Sequence, residues 1–155
     1  MIMRQFTLNL LEDQRPIMYL NMGNNVKVNA MLDTGALFPM WVTDEDILAN
    51  LGAVIIKRRV EISGIGGKAQ GNLYKMNHIE VGGLVYPGIY IIACKMDLPC
   101  HILLSSTMFQ GLIIEIDDKN HKLNVSIPED ESNVRNLSIE DKNGRLHVLC
   151  CSASV

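Results

Sequence analysis

Short apolar segments separated by turn residues run through most of this chain, and this pattern constrains the fold more than any other feature. Candidate strands with the expected length and composition cover residues 16–22, 26–32, 54–63, 68–76, 78–81, 84–93, 112–117 and 122–127. Between many of them lie glycine, asparagine or aspartate, which favour the tight turns of β-hairpins. Amphipathic helical periodicity is scarce. The sequence therefore predicts an all-β barrel or sandwich.

A single helix signal interrupts these strands. Thr43 can cap a helix with its hydroxyl, and Asp46 completes a capping box with it. Gly52 is the type of residue that ends a helix, here after about two turns. We therefore expect one short helix or two within an otherwise all-β chain.

The length and composition favour one folded domain with a tail. The chain has 155 residues, of which 48% are hydrophobic and 20% are charged, as is typical of globular proteins. Residues 128–136 are acidic and polar, which is typical of a linker, and Asn143-Gly144 predicts a hairpin between residues 137–141 and 145–150. We predict a domain over residues 1–127 and an extension over residues 128–155.

Charge and hydropathy argue against two classes of partner. The net charge of −3 comes without any basic block, so we expect neither nucleic-acid binding nor a polybasic membrane patch. No stretch reaches the ~20 apolar residues of a membrane-spanning helix, and the first residues lack a continuous apolar region. The expectation is a soluble, cytoplasmic protein.

The cysteines and histidines do not form a metal-binding pattern. Cys150 and Cys151 are adjacent, which suits a disulfide framework poorly, and we expect reduced thiols. Cys94, Cys100 and His101 lack the paired spacing of a zinc site. We therefore expect no metal and no cofactor.

Asp33 directly follows an apolar segment and precedes Thr34 and Gly35, and this tripeptide occurs once in the chain. One interpretation is an ordinary surface turn, where aspartate and glycine are common. The other is a catalytic carboxyl. An isolated carboxyl is simply ionised, whereas two carboxyls held together cannot both ionise and share a proton. A lone copy of the tripeptide therefore suggests a symmetric dimer that brings two copies together.

Three features together resemble the retropepsin-like aspartic proteases, a family of single-domain retroviral proteases and their cellular and bacterial relatives. They are Asp33-Thr34-Gly35-Ala36, the glycine-rich hairpin tip Gly64-Ile65-Gly66-Gly67, and the short helical stretch over residues 41–51. The resemblance covers residues 15–127. It implies a closed barrel of the acid-protease type, a homodimer with one catalytic Asp33 from each subunit, and a protein or peptide substrate.

The resemblance also implies roles for individual residues. The two copies of Asp33 share a proton and activate a water molecule, Thr34 bonds across the dimer, and Gly35 lets the backbone turn. The hairpin tip closes over the substrate as a flap. Residues implied to contact substrate are Ala36, Leu37, Gly64, Ile65, Gly66 and Leu103. Leu37 equally fits an ordinary core position.

Leu104 and Ser105 depart from the pattern of many family members, which have glycine and then arginine or asparagine after the apolar pair. The leading hypothesis is an aspartic endopeptidase, and the alternative is a catalytically degenerate module of the same fold that dimerises or binds peptides. The extension has no counterpart in the resemblance. It can add strands at the dimer interface, fold over the flap as a plug, or remain loosely attached.

Overall fold

Short strands joined by tight turns make up most of the structure, a computed structural model that describes residues 2–11, 15–22, 26–33, 38–64, 67–142 and 145–152. In chain order the strands are β1 (Met3–Asn9), β2 (Ile17–Asn21), β3 (Lys27–Asp33), β4 (Met40–Val42), β5 (Val54–Gly64), β6 (Gly67–Met76), β7 (Ile79–Val81), β8 (Leu84–Tyr86), β9 (Ile89–Ala93), β10 (Ile102–Ser105), β11 (Ile113–Asp117), β12 (Lys122–Pro128), β13 (Arg135–Lys142) and β14 (Arg145–Ser152). Helical segments are α1 (Asp46–Ala49) and the 3-10 helix Ser106–Phe109. The prediction of a mostly β fold with one short α-helix is confirmed.

The predicted hairpins form antiparallel pairs: β2 with β3, β5 with β6, β7 with β8, β11 with β12, and β13 with β14. One predicted strand, residues 84–93, is divided into β8 and β9 because Pro87-Gly88 lies within it and proline cannot donate to a strand ladder. Strand β1 was not predicted. It pairs antiparallel with β12, which brings the start of the chain beside residues 122–128.

The largest sheet has the strand order β2-β3-β10-β4-β9-β6-β5. Two neighbouring pairs in it, β3 with β10 and β4 with β9, are parallel. The order is linear, and no closed barrel is detected among the residues that the structure describes. The barrel component of the predicted fold class is therefore not supported, because the edge strands β2 and β5 do not pair with each other there.

The two faces of this sheet bury different residues, because successive side chains along a strand point to opposite sides. One face carries the main core, which includes Leu32, Leu104 and Met40 in one row across β3, β10 and β4. The other face carries a second row that crosses five neighbouring strands through Met31, Leu103, Trp41, Ile92 and Leu73. Each Leu or Ile buried in such a row contributes about 1.5–3 kcal/mol to folding.

Helix α1 is not capped as the sequence suggested. The Thr43 hydroxyl donates instead to the carbonyls of Cys100 and His101, both at 3.2 Å. The backbone N–H of Thr43 also donates to His101 O, so this residue prolongs the pairing of β4 with β10. Asp44 Oδ1 accepts from the Asp46 N–H at 3.0 Å in its place. The capping box was therefore wrong, while Gly52, with φ of +70°, follows the helix in the left-handed conformation that favours glycine.

The segment that follows β12 packs against the strands that precede it. The N–H of Val85 donates to Asn133 O at 3.0 Å, and Val85 forms a parallel bridge with Val134. Arg135, the next residue, is 1% exposed. The hairpin of β13 and β14 then contacts β8, β9 and the 3-10 helix. The start of the extension is thus built into the fold rather than loosely attached.

Candidate active site

Asp33 is the last residue of β3 and is half-buried at the end of that strand. The strand is held on both sides at this point: Leu32 N donates to Pro16 O at 3.0 Å, and β10 pairs in parallel on the other edge. Leu32 itself is buried in the main core. The carboxyl therefore projects from a backbone whose position is set by packing, as a catalytic group requires.

Ser105 is the register partner of Asp33 across the parallel pair. It is fully buried, and its N–H donates to Pro39 O at 2.9 Å. Its hydroxyl accepts from Thr107 N at 3.0 Å and lies 3.1 Å from Thr107 Oγ1, so it caps the 3-10 helix. From the sequence, Ser105 was noted only as a departure from the family pattern. Its place beside Asp33 follows from the parallel register, which has no local signal.

Leu103 lies on the same sheet face as Asp33, two residues from Ser105. It is 6% exposed, between Met31 and Trp41 in the apolar row. Leu104 points to the opposite face, where it is fully buried in the main core. The leucine at position 104, which is larger than the glycine of the family pattern, therefore lies in the core and not on the face that carries Asp33.

The hairpin of β5 and β6 carries the predicted flap at its tip, where Gly64 pairs with Gly67. Its stem contributes Val60 and Leu73 to a small buried cluster with Phe38 and Ile92. The ring of Phe38 meets that of Trp41 edge to face at 6.2 Å, and Trp41 Nε1 donates to Phe38 O at 3.1 Å. This cluster joins Phe38, five residues after Asp33 in the sequence, to the stem of the hairpin.

The remaining predicted site residues lie outside the described residues: Thr34, Gly35, Ala36, Leu37, Ile65 and Gly66. Their roles stay predictions. The structure brings Asp33 and Leu103 to one face, and it places Gly64 at the end of β5.

A polar network ties α1 to the stem of the hairpin. One carboxylate oxygen of Glu45 accepts from Asn72 Nδ2 at 2.9 Å and from the hydroxyl of Tyr74. Asn72 Oδ1 in turn accepts from the N–H of Arg59, which has a left-handed φ of 55° at a bulge in β5. Hydrogen bonds from Tyr74 and Asn72, then the charge of Arg58, lower the pKa of Glu45. The pKa of Tyr74 is raised by burial first and by Glu45 second.

These shifts predict a pH effect of Glu45→Gln. Because the pKa of Glu45 is lowered on folding, its stabilising contribution is complete above 4.5, its ordinary value, and is lost as pH falls through the lower folded value. For an exposed group this contribution is at most about 1 kcal/mol. We expect urea melts to show that Glu45→Gln narrows the difference in stability between pH 7 and pH 3. Tyr74 should also titrate at lower pH by NMR in this variant. Glu80→Gln, an exposed change on β7, is the control, and an equal effect there would contradict the prediction.

Among the described residues, Cys94 and Cys100 are free thiols. Burial is the main cause that raises the pKa of Cys100, and the carboxylate of Asp33 adds to it. Backbone hydrogen bonds at Met31 and Ile102 and the charge of Arg15 oppose this shift. Burial also raises the pKa of Cys94. Thiols of this kind stay protonated at neutral pH and are poor nucleophiles.

The described residues contain no group of three or more His, Cys, Asp or Glu side chains that could hold a metal ion. In the same part of the chain, no helix has the length and apolar character needed to span a membrane.

The sequence profile of a family described as aspartyl protease matches residues 19–113, more than half of the chain. This match includes Asp33, Gly64 and Leu103. The chain therefore belongs to the aspartyl protease family. The family suggested by Asp33-Thr34-Gly35-Ala36 is thus confirmed.

Among solved structures, the fold is similar to that of a retropepsin-like aspartic protease from Rickettsia conorii, with a TM-score of 0.52 and 24% sequence identity. The similarity covers 80% of this chain and 98% of that one. The fold of this chain is therefore retropepsin-like. No curated protein matches the sequence.

Proposed function

We propose that this protein is an aspartic endopeptidase that acts as a homodimer, with one Asp33 from each subunit at the catalytic centre. The observation that carries this proposal is the place of Asp33, at the end of a strand held by the core and by β10, in a chain of the aspartyl protease family. A carboxyl at this place becomes useful only beside a second one. The twofold axis of a dimer supplies it.

The proposed reaction is the direct attack of water on a peptide bond. Two carboxyls held side by side at a twofold axis cannot both be ionised, so the pair of Asp33 side chains shares one proton. The ionised carboxylate takes a proton from the water as its oxygen attacks the scissile carbonyl carbon, while the protonated carboxyl hydrogen-bonds the carbonyl oxygen. The C–N bond then breaks, and the proton taken from water is passed to the leaving nitrogen. No acyl-enzyme forms.

Neighbouring residues complete this proposed centre. Thr34 would bond across the dimer and hold the two carboxyls in one plane, and Gly35 would allow the backbone turn. Gly64, Ile65 and Gly66 would close over the peptide and exclude bulk water. Substrate contacts from Ala36 and Leu37 belong to the same proposal. Leu103, which the resemblance implied as a substrate contact, is 6% exposed and would instead pack beneath the residues that contact the peptide.

The second candidate is a non-catalytic module with the same fold, which dimerises or binds peptides without cleaving them. The sequence departs from the family pattern at Leu104 and Ser105, and of the two only Ser105, the register partner of Asp33, lies on the face that carries the carboxyl and favours this candidate. Intact Asp33, Thr34 and Gly35 favour the enzyme. The enzyme requires a dimer and predicts hydrolysis, whereas the non-catalytic module either dimerises or binds peptides and predicts no hydrolysis.

A dilution series tests the proposal and separates the two candidates. The protein is incubated with a peptide library, cleavage is followed by mass spectrometry, and sedimentation gives the oligomeric state at each concentration. We expect the rate per chain to be constant while the dimer prevails and to fall with the dimer fraction on dilution. Cleavage that persists in solitary protomers would refute a shared pair of carboxyls. A stable dimer that cleaves nothing would favour the non-catalytic module.

We also propose a cytoplasmic location for the enzyme. Cys94 and Cys100 are both free thiols, which is the usual state of cysteines in a reducing compartment.

A further inference from the structure

Arg135 is the largest fully buried side chain of the described residues, and the roles proposed above do not involve it. It opens β13 in the C-terminal extension. Its Nε donates to Met108 O at 3.2 Å, and its Nη2 donates to Gln110 O. The hydroxyl of Tyr86, also fully buried, donates to the same Met108 carbonyl. A charged side chain is buried in this way only when its hydrogen bonds are made inside the protein.

Both carbonyls belong to the end of the 3-10 helix Ser106–Phe109 or to the residue that follows it. The last carbonyls of a helix have no partners within the helix and carry a partial negative charge. A planar guanidinium can donate to two such carbonyls at once, which a lysine ammonium cannot do with the same geometry. Arg135 therefore holds the C-terminal end of this helix through two carbonyls.

The other end of the same helix reaches the candidate active site. Ser105 caps it through the N–H of Thr107, and Ser105 is the register partner of Asp33. Only the short 3-10 helix thus separates the carbonyls that accept from Arg135 from the end of β10 beside Asp33. A shift of the 3-10 helix would move Ser105, and with it the parallel pairing that sets the position of the carboxyl.

We propose that Arg135 is a positioning residue of the active site: its guanidinium fixes the 3-10 helix after Ser105 and so holds β10 in register with β3 at Asp33. If so, the C-terminal extension contributes to catalysis through Arg135. The inference rests on the proposed function for its effect on rate, and on the structure alone for its effect on the backbone at Ser105.

The test compares substitutions of Arg135 in the full-length protein. Arg135→Met removes the guanidinium, and with it the hydrogen bonds to Met108 O and Gln110 O, at similar volume. Arg135→Lys keeps the charge, and Tyr86→Phe removes the other donor to Met108 O. The matched control is Arg4→Met. Arg4 is only partly buried, but its Nη2 also donates to a main-chain carbonyl, that of Glu131, and it lies in the three-stranded sheet of β1, β12 and β11. All variants are compared at concentrations where sedimentation gives one oligomeric state.

We expect Arg135→Met to lower kcat by about 10- to 100-fold with KM nearly unchanged, since a small displacement of a catalytic group costs this much. Arg135→Lys should recover part of the loss, and Tyr86→Phe should show a smaller decrease. Amide hydrogen exchange at Ser105, whose N–H donates to Pro39 O, should be faster in Arg135→Met than in the wild type. Arg4→Met should leave kcat and the exchange at Ser105 unchanged even where it lowers the melting temperature.

Two outcomes would overturn the inference. The positioning role is excluded if Arg135→Met keeps both the wild-type kcat and the wild-type exchange rate at Ser105. If the methionine variant does not fold, the same result in Arg135→Lys and Tyr86→Phe excludes it. An equal loss of kcat in Arg4→Met at the same loss of stability would also exclude it, because the effect would then be general. If the wild type cleaves no peptide, the proposed function fails, and the exchange rate at Ser105 still decides whether Arg135 positions this backbone.

Discussion

Replacing Asp33 with asparagine should reduce peptide cleavage by about 10²–10⁴-fold or more, which is the range that general acid–base catalysis supplies. The amide has nearly the shape of the carboxyl, but it cannot take a proton from water or share one with its partner. Asp33 is half-buried at the end of β3, so the substitution leaves the core row beneath it intact. The measurement is the initial rate of cleavage of a peptide selected from the library, with thermal melts to establish that the variant is folded.

The control for this substitution is Asp97→Asn, an exposed aspartate in the segment before β10. It should keep the wild-type rate. Mixed dimers extend the experiment: if both carboxyls of the pair are needed, random exchange of equal amounts of wild-type and Asp33→Asn subunits leaves about a quarter of the dimers active. Undiminished cleavage by Asp33→Asn would rule out this mechanism, and an activity of one half in the mixture would mean that each subunit acts alone.

The hairpins of the fold could be predicted because their signal is local. Alternating apolar residues on both sides of a Gly or Asn turn determine the pairing of β2 with β3 and of β5 with β6. The parallel pairs, β3 with β10 and β4 with β9, join segments far apart in sequence, and no turn residue specifies their register. The linear strand order that these pairs produce was therefore not predicted, and a closed barrel was expected instead.

The same distinction applies to the candidate site. Asp33 was found because an aspartate, a hydroxyl residue and a glycine follow an apolar strand. Ser105 and Arg135 have no motif of this kind. Their positions depend on the register of β10 and on the path of the extension over β8. Thr43 is the opposite case, in which a local signal is present but misleads. The residue type suits a helix cap, yet its hydroxyl donates to the carbonyls of Cys100 and His101, which are distant in sequence.

Leu104→Ala should lower the free energy of unfolding by about 2–5 kcal/mol, the usual cost of this truncation in a packed core. Leu104 is fully buried and lies in one row with Leu32 and Met40. The substitution removes apolar contacts and leaves a cavity at the centre of the sheet. Ile113→Ala is the control, since Ile113 is 62% exposed on the edge strand β11 and should change stability by no more than about 0.5 kcal/mol. Urea melts at one protein concentration give both values, which keeps the contribution of any dimer constant.

This prediction also decides how the departure at position 104 should be understood. If Leu104 crowded the catalytic loop, Leu104→Gly would restore the family residue, raise cleavage and cost little stability. Because Leu104 is buried on the face opposite to Asp33, we expect Leu104→Gly to lower stability and not to raise the rate of cleavage. Glycine there would cost at least as much as alanine, because it also adds backbone freedom to the unfolded chain. Faster cleavage by a stable Leu104→Gly protein would show that the side chain obstructs the site. A large loss of stability without a gain in rate would show that the core, and not the active site, selects leucine at this position.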